Sequence, residues 1–165
     1  FGCIEGRLLV GVQWNQVPFP LLIMPATNVS IYKSPNTFDL INNMEFLNDR
    51  FLSWELTWDL QGKLFNRIPI LKMMKCRECL GLKCLWGDLS DKNNPYLRNN
   101  ISSSILMPFP DGSYIMDSNN PYWELSIGVH NILNILHVEY IRRLNYLDLP
   151  TAKKQAVKFA LEFKF

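Results

Sequence analysis

No stretch of this chain approaches the roughly 18 or more uninterrupted apolar residues of a transmembrane helix. The longest apolar run, Val17 to Ala26, is broken by Pro18, Pro20 and Pro25. That argues against a helical membrane protein. It leaves a β-barrel open, because barrel strands are short and only alternately apolar. A dominant charge sign is also missing. The 17 Lys and Arg nearly balance the 15 Asp and Glu, for a net charge of +2. No stripe of Lys and Arg offers a phosphate track, so nucleic acid is not an expected partner. Low hydrophobicity with high charge, the mark of disorder, is absent as well: 48% of residues are hydrophobic and 19% charged. Cysteines number four, at Cys3, Cys76, Cys79 and Cys84. Cys76 and Cys79 form a lone C-x-x-C with no second pair and no neighbouring His, whereas zinc sites use four ligands. Neither a metal nor a cofactor is expected, and these cysteines read as small apolar residues of a strand.

What the chain does have is a period of two. In the last segment, Ala156 to Phe165, Val157, Phe159, Leu161, Phe163 and Phe165 share one face; Lys158, Glu162 and Lys164 share the other. In Phe51 to Gln61, Leu52, Trp54, Leu56, Trp58 and Leu60 alternate with Ser53, Glu55, Thr57, Asp59 and Gln61. A helix would place its apolar residues at i, i+3, i+4 and i+7 instead. Four further segments read as strands: Arg7 to Trp14, Cys76 to Trp86, Tyr122 to Val129 and Leu136 to Tyr146. Arg142 interrupts the apolar face of the fifth, so it is expected near a rim or at a bulge that turns it inward. Met44 and Phe46 keep the even register of the second strand, so Phe38 to Arg50 is a candidate extension of it.

The connectors alternate in kind. Gly62 to Lys75 and His130 to Ile135 are short. Asn15 to Asn43 and Gly87 to Pro121 are long and rich in turn formers, and Leu147 to Gln155 is intermediate. Short periplasmic turns and longer extracellular loops are the pattern of outer-membrane barrels. With Phe165 at the periplasmic end, all three longer loops fall outside. Trp14, Trp86, Trp123, Tyr122 and Tyr146 lie near strand ends, where interfacial girdles form. The expected fold is all-β: an antiparallel transmembrane β-barrel, of which residues 1–165 supply the C-terminal part as about six meander strands. Barrels begin at about eight strands, and an open edge in bilayer leaves backbone groups unpaired. Earlier strands are therefore expected upstream of Phe1.

On this reading Leu52, Trp54, Leu56, Trp58, Leu60, Val157 and Leu161 face lipid, and Glu55, Asp59, Lys158 and Glu162 face the lumen. Glu55 and Asp59 lie about 13 Å apart along one strand, too far for a simple acid–base pair. His130 and His137 lie in or beside a short turn, with no Ser or Cys partner visible in the spacing. No phosphate loop, nucleophile elbow or zinc helix motif occurs. The segment Asp91 to Pro95 is either a cation or partner site or a plain polar loop. Phe65, Ile68, Ile70 and Leu71 either staple one rim or pack locally. Phe159, Phe163 and Phe165 are candidates for an assembly signal, since an exposed terminal strand can offer its edge to another sheet.

Four runs carry a family resemblance: Asn42 to Arg50 (NNMEFLNDR) with Phe51, Ser53 and Trp54; Leu64 to Leu71 (LFNRIPIL) with Lys72, Lys75, Arg77 and Glu78; Trp86 to Pro95 (WGDLSDKNNP); and Gly128, Val129, Asn131 and Ile132 with Tyr140 to Tyr146 (YIRRLNY), followed by the closing Phe-x-Phe. Together, from about Gly6 to Phe165, they resemble the C-terminal part of a Bacteroidetes-type outer-membrane family of uncharacterised barrels. Its full-length members carry an N-terminal carboxypeptidase-regulatory-like domain, which is not catalytic. The chain's end is more weakly similar to surface-antigen barrels that assemble outer-membrane proteins. Cys76 and Cys79 depart from the family pattern, which has an aromatic and an aliphatic residue there. The resemblance implies an outer-membrane location, lipid and the barrel-assembly machinery as partners, and a final strand read as the targeting signal. The extracellular loops remain open to partner proteins. The expected role is non-enzymatic, in transport or envelope assembly. A soluble β-barrel binding a small apolar ligand is the first alternative. The second is a barrel enzyme with a lumen or loop site, which requires a convergent cluster of titratable groups that the spacing does not reveal.

Overall fold

The computed structural model describes residues 2–100 and 102–161. Six strands form one antiparallel sheet in the order β1 to β6: β1 Cys3–Val12, β2 Arg50–Asp59, β3 Arg77–Asp88, β4 Tyr122–Ile132, β5 Leu136–Arg143 and β6 Gln155–Leu161. Each strand pairs only with its neighbours in sequence, so the sheet is a meander. Among the described residues β1 and β6 do not pair, and the sheet is not closed.

The alternation predicts the strands well and their ends less well. β1 starts four residues earlier than Arg7 and stops before Trp14, which sits in the following connector. Phe38 to Asp49 does not extend β2, which begins at Arg50. Met44 lies there at φ +59°, a left-handed backbone that a strand does not use. β4 runs on to Ile132 through a register shift between Val129 and Ile132, so His130 lies in the strand and the turn is only Leu133 to Ile135. β5 ends at Arg143, which puts Arg142 one residue from the rim, exposed and without a bulge. Glu162, Phe163 and Phe165 lie outside the described residues.

The connectors 13–49, 89–121 and 144–154 share one end of the sheet, and 60–76 and 133–135 share the other. The 60–76 connector holds a short helix, α1 Pro69–Met73. The first long connector departs from expectation. It does not project away from the sheet but folds back across the face that carries the charged residues. There Phe38, Ile41 and Phe46 pack with Leu85 of β3, Tyr122 of β4 and Met116 in one buried cluster. Val17, Leu22 and Leu47 form a second with Leu89 and Phe109 of the next long loop.

The opposite face has no such cover. Its rows read Ile4–Trp58–Leu80–Ile127–Tyr140–Val157 and Gly6–Leu56–Leu82–Leu125–Arg142–Gln155 across the six strands. Ile4, Leu8 and Val10 are each more than 60% exposed. Leu56, Trp58, Val157 and Leu161 are exposed as well, while Leu52, Trp54 and Leu60 are half-buried. Trp54 and Trp123 meet edge-on at 5.3 Å, flanking Cys84 in the same row.

Candidate functional site: the charged face of the sheet

The inner row Arg7–Glu55–Lys83–Glu124–Arg143 crosses five strands with charge alternating at every step. Opposite charges directly across a ladder attract, typically by about 0.2–1 kcal/mol a pair. Burial raises the stakes. Glu124 and Arg143 are each 1% exposed and Lys83 is 6% exposed. A buried charge must be paired and hydrogen-bonded or it is prohibitively unfavourable.

The folded-back connector supplies those partners one by one. Glu124 accepts the backbone N–H groups of Asp39 at 3.1 Å and Leu40 at 2.8 Å, and the Tyr122 hydroxyl at 2.6 Å. Lys83 Nζ donates to Asp39 at 2.9 Å and to the Thr37 carbonyl at 2.5 Å. Arg143 donates to Glu45 at 2.7 Å, with both side chains wholly buried. Its guanidinium also lies over the Tyr122 and Phe46 rings, 4.8 and 5.8 Å from their centroids. Lys158 donates to the carbonyls of Asn28 (2.8 Å) and Ser30. Ile31 and Lys33 exchange backbone bonds with Phe159 of β6, at 3.0 and 2.7 Å, in a parallel bridge. That bridge occupies the outer edge of the last strand at the residue proposed from sequence as part of the assembly signal.

Toward the end with the short turns the cover stops, and a cavity of about 860 Å³ opens on the same face. Glu5, Arg7, Lys33, Glu55, Asp59, Cys79, His130, His137 and Glu139 line it. Its centre is Glu139, which binds Lys33 of the connector and meets His130 Nε2 at 2.8 Å. The His130 and His137 rings lie 4.5 Å apart. The Cys79 thiol lies within interaction range of the His130 imidazole. Gly128 makes this crowding possible: a Cβ there would stand 2.6 Å from Glu139 Cγ and 3.2 Å from His130 Nε2.

One sequence expectation changes here. His130 does have a cysteine partner, because β3 and β4 pair Cys79 with Gly128 and so bring residues 51 positions apart together. Cys79 lies on the charged face, at the cavity wall. Glu55, Asp59 and Lys158 share the charged face, with Glu55 and Asp59 on the cavity wall and Lys158 buried beneath the connector. No group of three or more His, Cys, Asp or Glu among the described residues has the geometry to hold a metal ion.

Of the other singled-out residues, some pack and some stay exposed. Asn93 is fully buried; its side chain accepts from Val17 N–H at 2.9 Å and donates to Asp49 at 2.9 Å. The Asp91 to Pro95 segment thus locks two long loops together. Tyr122 and Tyr146 are not girdle residues. Tyr122 is buried under the connector, and Tyr146 packs edge-on against Phe46 at 5.2 Å. Trp14, Trp86 and Trp123 keep positions at the long-loop end of the sheet. Phe65 and Leu71 are half-buried, whereas Ile68 and Ile70 are exposed.

Neither a family model, nor a curated protein, nor a solved structure matches the chain.

Proposed function

We propose that this sheet is part of the wall of an outer-membrane β-barrel, non-enzymatic, serving transport or envelope assembly. One observation carries the reading: the polarity of the sheet is inverted relative to a water-soluble fold. Charged residues are buried under the folded-back connector, while Ile4, Leu8, Val10, Leu56, Ile127, Val157 and Leu161 are exposed on the other face. A soluble antiparallel sheet buries its apolar face and wets its polar one. A lipid-facing wall does the reverse. In a bilayer the outer edge of β1, and that of β6 beyond the Phe159 bridge, must pair with further strands. With six strands, β1 and β6 run antiparallel, so strands added between them can preserve the alternation. Lipid and the barrel-assembly machinery are the partners this role requires, and Phe159, Phe163 and Phe165 are the proposed assembly signal.

Fractionation of cells expressing the native protein, followed by gel mobility with and without boiling, tests the reading. Outer-membrane recovery with a heat-dependent mobility shift is expected. Recovery as a folded, detergent-free soluble protein would overturn it. Deletion of Phe165 is expected to lower outer-membrane yield, and unchanged insertion would remove the signal role.

A lumen-side enzyme is the second reading, favoured by the Cys79, His130 and Glu139 constellation on the cavity wall. A nucleophile beside a base that a third group orients is the arrangement covalent catalysis uses. Faster alkylation of Cys79 than of exposed Cys3, lost in His130→Asn, would favour it.

A further inference from the structure

We propose that the connector between β2 and β3 is an interfacial anchor that binds the phosphate headgroups of an anionic lipid surface. The inference rests on the membrane-wall reading above and adds to it a lipid class and a location. From Leu60 to Arg77 the chain carries Lys63, Arg67, Lys72, Lys75 and Arg77 and no acidic residue. The near-neutral charge of the whole chain conceals this local excess. The same stretch exposes Leu64, Ile68, Ile70 and Met73, the last two at 67% and 79%. In α1, Ile70 and Met73 are three residues apart and therefore share a side of the helix.

The segment is held against the end of the sheet. The buried Glu78 carboxylate accepts the N–H groups of Leu64, at 2.7 Å, and Phe65. The Asn131 side chain, at the end of β4 beside the β4–β5 turn, donates to the Lys75 carbonyl at 3.0 Å. That turn exposes Leu133 at the same end. This end of the sheet thus carries a collar of exposed aliphatic side chains interspersed with cations. Water disfavours the aliphatic half of this arrangement. A bilayer interface suits both halves: apolar groups enter the acyl boundary while Lys and Arg meet headgroup phosphates. The three connectors at the long-loop end, 13–49, 89–121 and 144–154, carry seven acidic residues against five basic ones.

The test compares insertion of the native protein, further strands included, into phosphatidylcholine vesicles with and without phosphatidylglycerol, read by flotation and heat-dependent gel mobility. The anionic lipid is expected to raise association at least about tenfold at low salt, with the gain lost at high salt. The variant Arg67→Ser/Lys72→Ser/Lys75→Ser is expected to insert into neutral vesicles like the parent and to lose the anionic preference. Lys153→Ser/Lys154→Ser, at the opposite end, is expected to keep it. Equal association of the parent with both vesicles would overturn the headgroup proposal and leave the wall reading standing. A preference that survives the triple substitution would overturn it too. Failure to insert into either vesicle would remove the wall reading itself.

Discussion

The two faces of this sheet are built from the same strands and solve opposite problems. The charged face carries its polar groups away from water and must match each with a partner, so its stability resides in specific pairs such as Arg143–Glu45. The apolar face carries no such pairs. Its rows are mainly aliphatic and aromatic side chains, broken by Gly6, Arg142 and Gln155, and their energetics depend on the medium that meets them. Specificity is thus concentrated on one face, and on the other the solvent decides.

The contrast can be broken most forcefully at Arg143. Arg143→Ala leaves Glu45 buried and uncompensated, and should cost about 3–5 kcal/mol, read by equilibrium urea unfolding. An Arg143→Ala/Glu45→Ala double variant should recover part of that loss. On the other face, Leu56→Arg separates the two media. In a bilayer it should cost about 2–4 kcal/mol if Leu56 lies near the midplane. In water an exposed substitution of this kind should change stability by less than about 0.5 kcal/mol. The same refolding titration in vesicles gives either answer. Gly128→Ala forces a Cβ against Glu139 and should cost about 1–3 kcal/mol by overpacking. Ala at Gly6, on the apolar face, where a Cβ meets only Leu56 at 4.0 Å, should be nearly neutral. A smaller effect than at Gly128 is expected at Lys33→Ala, which unties the connector from Glu139 at a partly exposed pair and should cost about 1 kcal/mol or less. Its clearer sign would be faster proteolysis between Val29 and Lys33.

The apolar face was legible in the sequence because it is written locally. Five large residues alternate without a miss from Leu52 to Leu60, and no other period accommodates them. Even there Gly6 interrupts the even-numbered apolar series and concealed the first turn of β1. The cover of the charged face was not legible. Asp39, Glu45 and Asn28 each find a partner on a different strand, at separations of 44, 98 and 130 residues. No spacing within a connector encodes contacts of that kind. Met44 and Phe46 matched the register of β2 by parity alone, while Glu45 between them was committed to Arg143. The His130, Cys79 and Glu139 cluster was hidden likewise, because only strand register joins it.

Those separations also bear on the order in which the molecule forms. Each neighbouring strand pair closes through a connector of 3 to 37 residues, but the folded-back segment cannot satisfy Lys158 until the last strand exists. Loop closure over such distances is entropically late. A chain emerging from its N-terminus therefore holds Asp39 and Glu45 without their cationic partners until β3 and β5 arrive. Docking of the connector becomes a high-contact-order step that follows sheet formation. Until it occurs, the charged face stays hydrated, and the sheet can still bend or admit additional strands.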